Sequence, residues 1–264
     1  MSIYDDPAIL IYVCFVTAVL GLVFGSFLNC AAWRIARGES FITGRSRCVH
    51  CGHTLGAIDL IPIVSWVLSG GKCRYCKASV SIRYPLTELT FAVLAVLCVL
   101  QCDLTVLCLR NLIFLGALFC LSLVDLDSYI IPDGCLIAAV LAWAAAIPFA
   151  PASYGGIAGI LFSLLSALVY GGVILLFASV MDKVLQKESM GGGDIKLFAV
   201  MGLYLGMAAS LFAMFLACVL GLLFTLLQPK KESPQIPFGP AIAIAAWGML
   251  LYGQPLVDWY LGLL

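Results

Sequence analysis

Charge is what this chain has least of. Of its 264 residues, 11% are Asp, Glu, Lys or Arg and 63% are hydrophobic, and only two are histidine. The mean hydropathy is +1.12. A soluble domain keeps about a quarter of its residues charged, so this chain cannot cover a water-facing surface. A soluble globular fold is excluded and a polytopic membrane protein is indicated. The first apolar segment has no basic stretch before it, opening on Asp5 and Asp6, and no clear small-residue cleavage site after it. A cleavable signal peptide is therefore not expected. A Gly-rich dinucleotide loop is also missing, and no nucleic-acid partner is expected.

Long apolar runs fill the rest. Segments of about 20 apolar residues, enough to cross a bilayer core, read at 8–32, 85–102, 105–124, 134–150, 156–181, 195–210, 211–228 and 237–253. The predicted fold is all-α, with about eight transmembrane helices. The boundary between the sixth and seventh is marked only by weak breakers, Gly202 and Gly206. Eight of the fourteen basic residues fall between the first and second spans: Arg34, Arg37, Arg45, Arg47, Lys72, Arg74, Lys77 and Arg83. Lys183, Lys187 and Lys196 surround the fifth-to-sixth junction and Lys230 and Lys231 the seventh-to-eighth, leaving Arg110 alone on the other side. The positive-inside rule makes the basic junctions cytoplasmic. Both termini then lie outside, and Asp125 and Asp194 sit at the cytoplasmic ends of their helices.

Eight of the twelve cysteines lie in or beside apolar segments, where a free thiol acts as a small hydrophobe. The other four form C-V-H-C at Cys48 and Cys51 and C-R-Y-C at Cys73 and Cys76, with 21 residues between the pairs, inside the basic loop. Two such knuckles suit a four-thiolate zinc site, each giving two sulfurs from one tight turn. A reducing cytoplasm argues against structural disulfides, and a redox dithiol is the competing reading. His50 and His53 stand close enough to replace a ligand, although a solvated loop histidine is the plainer assignment. The apolar stretch Ala57 to Leu68 is too short to span. It is expected to lie on the membrane surface or against the helices.

An ionisable residue at membrane depth is a functional-site hypothesis by default. Asp125 in SLVDLDSYIIPD and Asp194 in MGGGDIKLF are two such residues. Held together, two carboxylates share a proton, one taking a proton from water and the other polarising a peptide carbonyl. Asp194 opens a helix, where the dipole favours negative charge, and Asp125 nears the end of one, where it does not. This assigns the resting proton to Asp125. Gly191, Gly192 and Gly193 are expected to form a non-helical loop with positive φ, presenting backbone groups to an extended peptide. Asp127 rivals Asp125, and Asp133 after Pro132 reads as a helix N-cap. The competing function is a proton- or cation-coupled transporter using the two aspartates, which leaves the four-cysteine loop unexplained.

These motifs, in order, resemble the bacterial type IV prepilin peptidases. The resemblance rests on GSFLN at Gly25–Asn29, Trp33-Arg34, the two knuckles, IPIVSW from Ile61, RYPLTE at Arg83–Glu88, DLDSYIIPD from Asp125, GGGDIKL from Gly191 and IPFGP from Ile236. It implies a GxGD intramembrane aspartyl protease with Asp125, not Asp127, and Asp194 as catalytic residues. The implied substrate is a prepilin or pseudopilin of a type IV pilus, type II secretion or competence system, carrying a basic leader that is cut after a glycine at the cytoplasmic membrane face. The implied second activity is N-methylation of the new N-terminus with S-adenosylmethionine. The expected location is the bacterial inner membrane, and the implied partners are that substrate and the bilayer. Glu88 either pairs with Arg83 or assists methyl transfer, and Asn29 caps or bridges helices. The expected domains are a first transmembrane helix over 1–33, a zinc-binding domain over 34–84 and a seven-helix protease core over 85–264.

Overall fold

The computed structural model describes residues 6–149, 156–187, 189–227 and 237–262. Asp5, Lys230, Lys231, Ile236 and the predicted span ends at 150 and 228 lie outside them. The chain divides into two compact units, Met1–Leu123 and Val124–Leu264.

In the first unit, helix α1 (Pro7–Ile35) starts with Pro7 behind Asp6, whose carboxylate accepts from the Ala8 N–H. An N-cap acid followed by proline suits a helix start, because those first amides have no partner inside the helix. A short helix α2 (Val64–Leu68) precedes α3 (Arg83–Cys102) and α4 (Val106–Ser128). Helices α1 and α3 pack antiparallel on two glycines four residues apart. A Cβ on Gly21 would meet Ala92 Cα at 2.6 Å, and one on Gly25 would meet Glu88 Cα at 3.0 Å. Small residues allow such close approach in lipid, where packing rather than hydrophobicity drives association. The segment between α1 and α3 is organised by Arg34, whose guanidinium donates to the carbonyls of Ser40, Thr43 and Gly44.

In the second unit, α4 ends with Tyr129 in the left-handed region (φ 58°), its N–H donating to Asp125 O. This left-handed cap turns the chain into α5 (Asp133–Ala146). Helix α6 (Gly156–Leu185) runs antiparallel to α7 (Gly192–Leu227), with Gly171 against Ala199 and Gly202 against Ser166. Helix α5 runs parallel to the first part of α7, since Lys196 pairs with Asp133 and the Tyr204 hydroxyl donates to Ala139 O.

Gly206 interrupts α7 with φ 72° and ψ −174°, a region open essentially only to glycine. The ring of Phe238 lies 6.3 Å from that of Phe198 and also fills the space beside Gly221. In one straight helix, residues 198 and 221 would stand about 34 Å apart. The two arms of α7 therefore fold back on each other at Gly206, and the Met207 carbonyl just beyond it accepts from the Tyr170 hydroxyl at 2.6 Å. Helix α8 (Gly239–Leu261) packs along the second arm.

Among the described residues, six helices are long and apolar enough to cross a membrane, with α7 counted once. The expected count of eight is not established. Helix α5 and the first arm of α7 each rise only about 21 Å, against a hydrocarbon core of about 30 Å.

Candidate active site and metal centre

Asp125 is 5% exposed, whereas Asp127, two residues on, is exposed. A step of two residues rotates about 200° around a helix and puts the two on different faces. The Asp125 Oδ2 accepts a 2.8 Å hydrogen bond from the Gly239 N–H at the start of α8. A backbone amide only donates, so that oxygen is an acceptor, and any proton on Asp125 sits on Oδ1. The helix-dipole assignment left this donor out and does not by itself place the proton.

Asp194 lies in the first turn of α7 and is half-buried. Its segment is fixed by two contacts to the chain that follows Asp125. A Cβ on Gly193 would come 2.8 Å from the Ile131 Cβ, and Lys196 Nζ meets Asp133 Oδ1 at 2.7 Å. The stretches DLDSYIIPD and GGGDIK are thus packed on each other, and IPFGP joins them through Gly239.

Two expectations need correction. Gly192 and Gly193 are already helical, and none of Gly191–Gly193 has positive φ. Of the three, Gly193 allows close packing against Ile131, while a Cβ on Gly192 would meet nothing within 4 Å. Asp133 is the first residue of α5, with Pro132 in the cap position and no side-chain capping bond; its carboxylate pairs with Lys196. Gly239 was not singled out from the sequence. Its only signal was membership of the IPFGP motif.

The four cysteines of the two knuckles come together, their sulfurs all within 4.8 Å of one another. The Cys48 and Cys76 sulfurs are 3.9 Å apart. A tetrahedral zinc with bonds of about 2.3 Å has sulfur–sulfur edges of about 3.8 Å, so the donor set fits. The knuckles repeat one geometry. Cys48 N–H donates to His53 O and Cys73 N–H to Ala78 O, while the residue after each second cysteine turns back with positive φ, Gly52 at 71° and Lys77 at 62°. Backbone hydrogen bonds from Cys51 and His50 lower the Cys48 thiol to about 6. The histidines stand outside the four-sulfur group, and His53 stacks on Tyr75 with ring centroids 3.6 Å apart. Beside them, Asp59 accepts from the Gly56 N–H and the Tyr75 hydroxyl and pairs with Arg74.

Sequence comparisons meet this geometry from the other direction. The Bacterial Peptidase A24 N-terminal domain matches residues 19–102, and the Type IV leader peptidase family matches residues 112–226. Among curated proteins, the prepilin leader peptidase/N-methyltransferase of Aeromonas salmonicida (strain A449) is 34% identical over 232 residues, covering 82% of this chain and 74% of that protein. That of Bacillus subtilis (strain 168) is 32% identical over 254 residues, covering 92% and 96%. The chain belongs to the type IV leader peptidase family. A further relative of the same name, from Pseudomonas aeruginosa, is 31% identical over 273 residues and covers 93% and 92%. No solved structure matches. The type IV leader peptidases are aspartic peptidases, and the family match contains both Asp125 and Asp194, while the N-terminal match contains all four knuckle cysteines.

Proposed function

We propose that this chain is a membrane aspartyl endopeptidase. It removes the basic leader of type IV prepilins or pseudopilins at the cytoplasmic face of the bacterial inner membrane and N-methylates the new N-terminus from S-adenosylmethionine. Asp125 and Asp194 are the catalytic pair. The observation that supports this most is a buried Asp125, oriented by the Gly239 amide, on a segment whose continuation at Ile131 is wedged against the helix start that carries Asp194.

The chemistry needs only the two carboxylates and water. The ionised partner takes a proton from water as the oxygen attacks the scissile carbonyl. The protonated partner gives its proton to the carbonyl oxygen, and a proton then passes to the departing amine. The pair has two apparent ionisations that belong to it jointly. Gly239 holds one oxygen of Asp125 fixed throughout, which is the preorganisation such a step requires.

Cys48, Cys51, Cys73 and Cys76 hold a structural zinc. Four thiolates leave no open coordination position, so the ion stabilises the loop and takes no part in cleavage. The α5 helix and the two arms of α7 complete eight crossings, which puts both aspartates on the cytoplasmic side. The domains are then a first helix over 1–33, the zinc domain over 34–84 and the protease core over 85–264.

The test uses purified full-length protein in detergent with a synthetic prepilin, followed by mass. Wild type is expected to remove the leader, and Asp125→Asn and Asp194→Asn are each expected to abolish removal. Cleavage retained in both variants sinks the catalytic assignment. A further gain of one methylene in mass that requires S-adenosylmethionine establishes the second activity.

A further inference from the structure

Glu88 is a buried carboxylate that the cleavage chemistry does not use. It lies on the second turn of α3 and is 6% exposed. Its Oε2 accepts a 2.8 Å hydrogen bond from the Ile63 N–H. Ile63 is a β-branched residue at φ 59° and ψ −52°, in a tight turn where the Val64 N–H reaches Pro62 O. Positive φ in a β-branched residue is strained, and such strain concentrates at functional sites. The Oε1 has no hydrogen-bond partner among the described residues, and no lysine or arginine there forms an ion pair with the group.

A second largely buried polar side chain lies on the facing helix. The antiparallel register set by Gly21 on Ala92 and Gly25 on Glu88 places Asn29 about one turn beyond Glu88 along the α1–α3 contact. Asn29 is also 6% exposed and makes no side-chain hydrogen bond among the described residues. Burying a carboxylate without a partner cation is costly. A clamp on Ile63 alone would need only a neutral acceptor. A carboxylate oxygen and an amide oxygen on two largely buried residues, with a net negative charge, suit one ligand chemistry: a small cation rich in N–H donors, of which an α-ammonium with three is the simplest.

Resting on the N-methylation reading above, we propose that Glu88, with Asn29 beside it, binds the α-ammonium of the cleaved peptide and accepts the proton that nitrogen must shed before it is methylated. An α-ammonium is largely protonated at neutral pH and has no lone pair to attack with. It passes one proton to Glu88 Oε1. The freed lone pair forms the new N–C bond as the C–S bond of the sulfonium donor breaks, the electron pair staying on sulfur. The positive charge has then moved from sulfur to a secondary ammonium, and Glu88 returns its proton to water. Glu88 is a catalytic residue for this transfer and has no part in leader removal.

The experiment uses full-length protein in detergent and two synthetic peptides with the mature N-terminal sequence, one with a free amine and one N-acetylated. Glu88→Gln keeps an oxygen for the Ile63 N–H and removes the charge, whereas Glu88→Ala removes both. Wild type is expected to bind the free-amine peptide roughly tenfold to hundredfold more tightly than the acetylated one. Glu88→Gln is expected to lose that discrimination and the methylene gain, while keeping wild-type thermal stability and leader removal. Glu88→Ala is expected to lose thermal stability as well. If Glu88→Gln still discriminates and methylates, the residue is only a clamp and the proposal is overturned. If discrimination survives but the KM for S-adenosylmethionine rises, Glu88 holds the donor's cation, which also overturns it. A wild type that cleaves but never methylates refutes the N-methylation reading itself, a result visible before any variant is made.

Discussion

Replacing Gly239 by alanine adds one methyl group at the closest point between α8 and Asp125. The new Cβ would lie 2.8 Å from Asp125 Oδ2, 3.2 Å from its Cγ and 3.3 Å from its Cβ. Relaxed contacts of this kind need about 3.5 Å, so the carboxylate or the helix start must move by roughly 0.5 Å or more. The amide and the methyl belong to the same residue and compete for the same oxygen, so the 2.8 Å hydrogen bond lengthens as the overlap is relieved. A hydrogen bond to a charged group contributes about 1.5–3 kcal/mol, equivalent to roughly tenfold to hundredfold in rate. Misplacing a reacting group by about 1 Å costs a similar factor. Folding is expected to change little, because alanine is the better helix former by up to about 1 kcal/mol. The assay is the initial rate of leader removal by mass spectrometry, with thermal unfolding measured in parallel. Gly248→Ala, in the same helix with nothing within 4 Å of the added methyl, is the control and should cleave normally. A Gly239→Ala rate within twofold of wild type, at unchanged Tm, refutes the claim that this contact positions Asp125.

Gly193→Ala should slow cleavage by forcing its methyl onto Ile131, and Ile131→Ala should restore part of the rate in the double variant, a coupling that a double-mutant cycle reads. Gly206→Ala should lower stability by about 1–3 kcal/mol, because the methyl meets open space but the backbone occupies a region closed to alanine; an unchanged Tm would show that the reversal of α7 does not depend on this residue. Elemental analysis should find about one zinc per chain, and Cys48→Ser or Cys73→Ser should release it and loosen residues 36–82 to proteolysis. The Asp59 carboxyl is held below its ordinary range by the Gly56 amide first, then by the Tyr75 hydroxyl and Arg74. The folded loop therefore binds fewer protons than the unfolded one in acid, and its stability rises with pH. Asp59 supports the loop fully above the ordinary carboxylate range and loses that contribution as pH falls through its lowered folded value; Asp59→Asn should flatten this acid limb in hydrogen-exchange protection of residues 56–75.

Much of the site could be read from residue order alone. The near absence of charge forced a membrane fold, and knuckle spacing forced four sulfurs toward one point, because two tight turns leave few other arrangements. A two-residue spacing puts Asp125 and Asp127 on different helix faces but does not say which is buried; the family resemblance pointed to Asp125, and Asp125 is the buried one. Asp194 at a helix start was legible from the glycines before it. What those glycines do was not, because close approach depends on what comes near: the sequence pointed to an open loop, and packing on Ile131 produced a helix. Asp133 shows the same limit, being a plausible cap locally but an ion-pair partner of Lys196, 63 residues away, once the chain is folded.

Composition and local spacing determined the solvent, the elements and the candidate chemistry, because apolar runs, knuckles and helix ends act over a few residues. Tertiary structure alone decided three things: that Gly206 and not Gly202 is the breaker at which α7 reverses, that Gly239 supplies the donor to Asp125 from 114 residues away, and that Glu88 is buried against Ile63. Each depends on which backbone comes within about 3 Å of which side chain, and no periodicity in the chain encodes that distance.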